Sequence, residues 1–217
     1  LLLCRARSNF IAAILLIKQR MIVEARTLAR CCFENAFLVA GLHEQGRSFV
    51  DRMKEDDDAG RKNRLKFARG SEAIFESLEP EMQQAVDTAL NGFEQSNLLS
   101  PRGAAKVGAL KDLYLAYSQF SGDAAHPTLT ALTRYWRRDA NKAIEVIVSP
   151  EPNQEELDQT LLFASMAVLG ILSIVDEMFE HVPAGRALPA IRDEIQSIQA
   201  AKIRRCATPP LRSFPLH

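Results

Sequence analysis

Apolar positions along the chain recur mostly three and four residues apart, the spacing of helices that bury one face. From Asn9 to Gln45 there is no proline, and Gly41 is the only glycine. Alanine, leucine, isoleucine, arginine and glutamate dominate there, which predicts one long helix or two nearly collinear ones. Its second half, Leu28 to Ala40, is apolar almost all round, as a helix at the centre of a bundle would be. Arg30, Glu34 and Asn35 are the exceptions. Arg47 to Arg69 alternates charged blocks of both signs around Phe49, Val50, Met53, Leu65 and Phe67, predicting a solvated, peripheral helical pair broken near Gly60. Glu79 and Pro80 open a helix striped by Met82, Val86, Ala89, Leu90 and Phe93, expected to pack on the first.

Ser100 and Pro101 form an N-cap and first-turn pair, after which Val107, Leu110, Leu113, Tyr114, Tyr117 and Phe120 carry a stripe that halts at Gly122. His126 precedes Pro127, which disfavours helical geometry, so Ser121 to Pro127 is expected to bend. Leu132 to Val148 carries aromatic and β-branched residues on both sides of Asp139, Ala140 and Asn141, which allows a short β-hairpin. Asn153 with Glu156 three residues on has the form of a capping box, with helix to about His181 and a last amphipathic helix from Ala190 to Arg205. The predicted fold is therefore all-α, a mainly α bundle of five to seven helices with at most one small hairpin. A single domain is expected over residues 9–205, with a disordered, proline-bearing tail over 206–217.

Composition narrows the function classes. Among 217 residues, 27 lysines and arginines balance 27 aspartates and glutamates, so the broad positive field of a general DNA binder or an acidic-membrane binder is missing. Phe10 to Ile17 follows Arg5 and Arg7 but runs into Lys18, Gln19 and Arg20 without a small-residue cleavage site, and reads as helix rather than signal peptide. Gln159 to Val175 is uncharged but short for a membrane span and is expected to be a core helix. Cys4, Cys31, Cys32 and Cys206 make no Cys-x-x-Cys, which fits reduced thiols and a cytoplasmic location. His43, His126, His181 and His217 are scattered, and neither a His-Glu-x-x-His nor a glycine-rich phosphate loop occurs, so no metal and no cofactor is expected.

Two groupings carry candidate chemistry. Arg30 and Glu34 stand four apart on one helix face, one turn from Arg26, among Leu28, Cys31, Cys32, Phe33, Phe37 and Leu38. A pair in that company is expected to be buried, and then it needs further partners from a neighbouring helix, such as a tyrosine or histidine. It either fixes the packing or faces a ligand. The second grouping is Tyr117, Ser121 and His126, with Asp123 between. Serine and histidine on one bend could serve as nucleophile and base, but no motif supplies the orienting group or oxyanion donors. Arg134 to Arg138, with Tyr135 and Trp136 interleaved, reads as a solvated edge or as a stacking surface for single-stranded nucleic acid.

Arg30-x-x-x-Glu34 in an apolar helix, followed by Tyr117-x-x-x-Ser121-x-x-x-x-His126-Pro127, resembles an uncharacterised family of bacterial helical proteins classed as a domain of unknown function, over about Ile14 to Phe179. More distantly the layout is similar to the HEPN superfamily (higher eukaryotes and prokaryotes nucleotide-binding), helical bundles of bacterial defence systems. The resemblance implies a module that binds a protein partner or RNA at a cleft of Arg30, Glu34, Tyr117, Ser121 and His126, and a homodimer. The ribonucleases of that superfamily place an arginine four to six residues before a histidine. Here Gln119, Phe120 and Ser121 fill that window before His126. A non-hydrolytic module is therefore the leading expectation. The alternatives are a metal-independent ribonuclease in which Arg30 and His126 converge from separate helices, and a purely structural or interaction domain.

Overall fold

The computed structural model describes residues 1–92, 97–125, 128–139 and 143–207, the side chains of 124, 125, 130 and 202–207 excepted. The fold is mainly α, with one two-stranded antiparallel hairpin. Seven α-helices of seven residues or more stand among the described residues: α1 (Leu2–Lys18), α2 (Ile22–Gln45), α3 (Arg47–Gly70), α5 (Pro80–Gly92), α7 (Tyr114–Phe120), α9 (Gln154–Met178) and α10 (Leu188–Ala207). Shorter turns of helix are α4 (Glu72–Glu76), α6 (Pro101–Ala105) and α8 (Leu129–Leu132). Strands β1 (Trp136–Arg138) and β2 (Ile144–Val146) form the hairpin where the aromatic and β-branched residues allow one, with Trp136 opposite Val146 and Arg137 opposite Glu145. The chain divides into two compact units, Ala40–Lys111 and the remainder on either side of it.

In the larger unit α1 and α10 both pack on α9, and the core joins small residues on facing helices to an aromatic row. Ala6 and Ala13 on α1, Ala25, Ala29 and Ala36 on α2, and Ala164 and Ala167 on α9 are all buried, which lets backbones approach closely. The Sγ of Cys32, on α2, lies 3.7 Å from the Ala6 carbonyl of α1. Phe37, Phe33, Phe120 and Phe163 follow one another from α2 through α7 to α9 at centroid separations of 6.5, 6.0 and 5.9 Å, an offset or edge-on packing typical of aromatic cores. Helix α9 is long and apolar enough to cross a membrane, and it supplies eight buried residues to this unit. Its start is the capping box expected from Asn153 and Glu156, with both reciprocal bonds made.

Of the one helix or two expected through residue 45, the structure has two, with a stop between α1 and α2. Arg20 takes φ 60°, its N–H donates to the Ile17 carbonyl at 3.0 Å, and that of Met21 to Leu16 at 2.9 Å. This is a Schellman stop, which usually places glycine at the left-handed position. Arginine there costs roughly 1–2 kcal/mol of backbone energy. Its side chain answers with tertiary bonds, 2.6 Å to Glu151 and 2.6 Å to the Pro152 carbonyl.

In the smaller unit α3 runs unbroken through Gly60, where the sequence predicts a break. Arg47, Asp51 and Lys54, then Asp57 and Arg61, pair along its surface at three- and four-residue spacing, and such pairs support a helix whose propensity is modest. Helix α5 packs on α3, with Arg69 held to Asp87 at 2.8 Å. Ser100 does cap α6, accepting from the Gly103 N–H at 3.1 Å. That helix ends at Ala105, so the stripe from Val107 to Phe120 is not one helix. Beyond it, Gly108 lies so close to α2 that an added Cβ would sit 2.4 Å from the Ala40 Cβ and 2.7 Å from its carbonyl carbon.

Two glycine substitutions should therefore act in opposite directions. Gly108→Ala is expected to destabilise by about 1–3 kcal/mol, because the added methyl meets backbone. Gly60→Ala, with only the flexible end of Arg64 nearby at 3.5 Å, should stabilise by about 0.5–1 kcal/mol. Urea denaturation of the two variants checks both signs.

Candidate functional site

The polar residues of α2 point from the larger unit's core toward α7 and the turn at its C-terminal end. Phe120 ends α7, and Ser121–Ala125 continues as a π-helical turn instead of stopping at Gly122. The wider turn brings Asp123 back to α2, where its carboxylate closes a short ion pair with Arg26. The hydroxyl of Thr128, which also caps α8, donates to the Gly122 carbonyl at 2.8 Å. Arg134, in the 3-10 turn after α8, donates to Asp123 Oδ2 at 3.0 Å and to Glu156 Oε1 at 2.9 Å. Arg26 Nε donates to Thr160 Oγ1 at 3.2 Å, and its guanidinium lies 5.5 Å from the centre of the Phe120 ring and 3.6 Å from Glu156.

Two arginines and two carboxylates thus share one largely buried cluster, with Arg26 only 8% and Asp123 15% exposed. Burial of Arg134 works against its charge, but the bonds to Glu156 and the charge of Asp123 more than reverse this and raise its pKa. Glu156 is used twice. Its Oε2 accepts the Asn153 N–H at 3.1 Å to cap α9 while Oε1 holds Arg134. Arg134 Nε is buried without a hydrogen-bond partner.

One turn along α2, Arg30 pairs with Glu34 at 2.9 Å, and Tyr117 of α7 donates to the same Glu34 Oε1 at 3.2 Å. The Arg30 guanidinium lies 5.8 Å from the Tyr117 ring centre. The tyrosine partner expected for this pair is present, but the pair is not sealed: Arg30 is 27% and Glu34 32% exposed. Desolvation alone would lower the Arg30 pKa, yet Tyr117 and Glu34 together raise it, so the cation is held. Tyr117 is raised chiefly by burial, and so is Cys31, whose neighbour Cys32 is pushed up to about 12. These groups remain protonated at neutral pH.

The structure brings Arg30, Glu34 and Tyr117 together. Ser121 opens the π-helical turn in a partly exposed position, and His126 lies outside the described residues. The cluster of Arg26, Asp123, Arg134, Glu156 and Thr160 is not foreseen as a unit by sequence reasoning. The only sequence signal for it is that Arg26 and Arg30 share one face of an otherwise apolar helix. Among the described residues no group of three histidine, cysteine, aspartate or glutamate side chains could hold a metal ion.

The chain belongs to DUF5677, a family of unknown function, whose family model matches residues 1–144. No curated protein and no solved structure matches it. The matched span takes in Arg26, Arg30, Glu34, Tyr117, Asp123 and Arg134 and ends before Glu156 and Thr160 of α9.

Asp123→Asn leaves two buried guanidiniums facing one carboxylate. Removing one partner from such a network costs about 3–5 kcal/mol, so the variant should unfold at markedly lower urea concentration. Asp51→Asn, in an exposed pair on α3, should change stability by less than about 1 kcal/mol in the same measurement.

Proposed function

We propose that this DUF5677 protein is a non-hydrolytic, HEPN-like helical module of a bacterial defence or stress system, and that it holds a protein partner where Arg30, Glu34 and Tyr117 meet. The observation that carries this reading is the state of Arg30. Its guanidinium is already balanced by a carboxylate at 2.9 Å while more than a quarter of the side chain stays open to solvent. A neutral, partly exposed arginine–glutamate pair offers donors and an acceptor together. It suits the mixed polar groups of a protein surface better than a run of phosphates, which the Glu34 charge would repel. Tyr117 limits the freedom of the guanidinium, which lowers the ordering cost of binding.

The ribonuclease alternative requires more rearrangement, since Arg30 would have to leave Glu34 before it could stabilise a phosphodiester beside His126.

The test compares the full-length protein with Arg30→Met/Glu34→Leu, which removes both charges at once. A partner recovered by affinity purification should bind the purified wild type saturably and the double variant at least about tenfold more weakly, with the unfolding midpoint retained. Equal binding by both would assign the pair to packing alone. RNA cleavage that persists in EDTA and disappears in His126→Ala would overturn the non-hydrolytic reading, and saturable single-stranded RNA binding lost in the double variant would replace the protein partner with RNA.

A further inference from the structure

We infer that the corner joining α9 to α10 is a second binding site, separate from the Arg30 face, which takes a small phosphate-bearing anion on His181, Arg186 and Arg192. These side chains, with Ser173, Asp176 and Glu177, line a cavity of about 410 Å³. The corner lies outside residues 1–144, the span shared with the family.

The local backbone is built around one histidine. Helix α9 ends in a second Schellman stop: the Glu180 N–H donates to Glu177 at 3.2 Å and the His181 N–H to the Asp176 carbonyl at 2.9 Å. Glu180 occupies the left-handed position at φ 56°, and His181 follows it there at φ 64°. Two successive non-glycine residues in that region are unfavourable, and strain of this kind concentrates at functional sites. The result is that His181 Nδ1 reaches Asp176 Oδ2 at 2.9 Å. The Asp176 carboxylate is 14% exposed, whereas the imidazole is 77% exposed. Gly185 closes over the carboxylate so tightly that a Cβ there would fall 1.9 Å from Oδ1, an oxygen that is buried without a hydrogen-bond partner. Three unfavourable features thus surround a single histidine–aspartate pair.

With Nδ1–H bonded to Asp176, the other nitrogen of this cavity-lining ring can donate to a bound anion when the ring is protonated. Arg192 comes from α10, with one nitrogen 3.1 Å from Ser173 Oγ, and Arg186 comes from the 3-10 turn between the helices. Protonated His181, Arg186 and Arg192 carry three positive charges, against Glu177 and the inward-turned Asp176. The lining includes no phenylalanine, tyrosine or tryptophan, and its apolar surface is Val182, Leu188 and Pro189. A nucleobase would find no large aromatic face there, and the charged donors favour the oxyanion itself.

The bond to Asp176 and its negative charge, with a further contribution from Glu177, raise the His181 pKa. Affinity for an anion should therefore be full below the ordinary histidine pKa and be lost as pH rises through the raised one. Besides Asp176 and His181, the charged groups lining the cavity are Glu177 from α9, Arg186 from the 3-10 turn and Arg192 from α10.

The full-length protein is titrated with inorganic phosphate, sulfate and acetate at matched ionic strength, following the ring nitrogen shifts of His181 by NMR. Phosphate and sulfate should shift them saturably and acetate should not. His181→Gln and Arg192→Met should each weaken binding about tenfold, read for the histidine variant from backbone amide shifts of the corner. Asp176→Asn should move the midpoint of the pH profile for sulfate, whose own charge is constant over the range, to lower pH. Shifts that rise linearly with every anion, or variants that bind as the wild type does, would overturn the proposal.

Discussion

A buried guanidinium is costly unless it is paired and hydrogen-bonded, and Arg26 meets that requirement with Asp123. Much of the larger unit is arranged around this one contact. Arg26 starts on α2, its planar group lies against Phe120 at the end of α7, and its Nε bonds Thr160 one turn and a half into α9. Asp123 in turn holds Arg134 just before the hairpin. The pair therefore sets the depth of α9, the exit of α7 and the entry to β1 together. Glu156 adds an economy of its own, since one carboxylate both caps α9 and completes the ion cluster. Loss of the cap and loss of the cluster are consequently not independent events.

Exposure rises from the first arginine of α2 to the second. Arg26 is 8% exposed and Arg30, one turn on, 27%. The first arginine is committed to the fold, while the second keeps the same kind of company, a carboxylate and an aromatic ring, at the protein surface. That repetition gives the Arg30 face rigidity without burial. A rigid, neutral polar surface is what a selective contact needs, because neither side chain has to be ordered afresh when a partner arrives.

Legibility in the sequence follows the range of the interaction. The capping box at Asn153, the cap at Ser100 and the Arg30–Glu34 pair are local patterns, and each is readable with its partner in view. The helix stop at Arg20 is not, because it uses the Schellman geometry without the glycine that signals it, whereas the end of α9 near His181 is legible in place though its glycine-free geometry is not. Gly60 reads as a break, yet the ion pairs of α3 carry the helix through it. Arg134 reads as part of a solvated basic run. Nothing local distinguishes it from Arg137, which does pair at the surface with Glu145 at 2.7 Å, and its true partners come from separate elements. Arg26 and Asp123 lie 97 residues apart, and Arg26 and Thr160 134. Only the tertiary fold brings them together.

The π-helical turn at Ser121–Ala125 has a consequence for how this chain tolerates changes in length. Such a turn holds one residue more than the α-helical path would, and each residue of an α-helix advances the side chains by about 100°. Deleting a single residue there would let α7 continue as a regular helix. The same deletion would turn Asp123, inside the turn, out of line with Arg26, leaving Glu156 at 3.6 Å as the remaining carboxylate. The extra residue is a spacer that times the return of the chain to Arg26, so length variation in this unit should be confined to segments on either side of it.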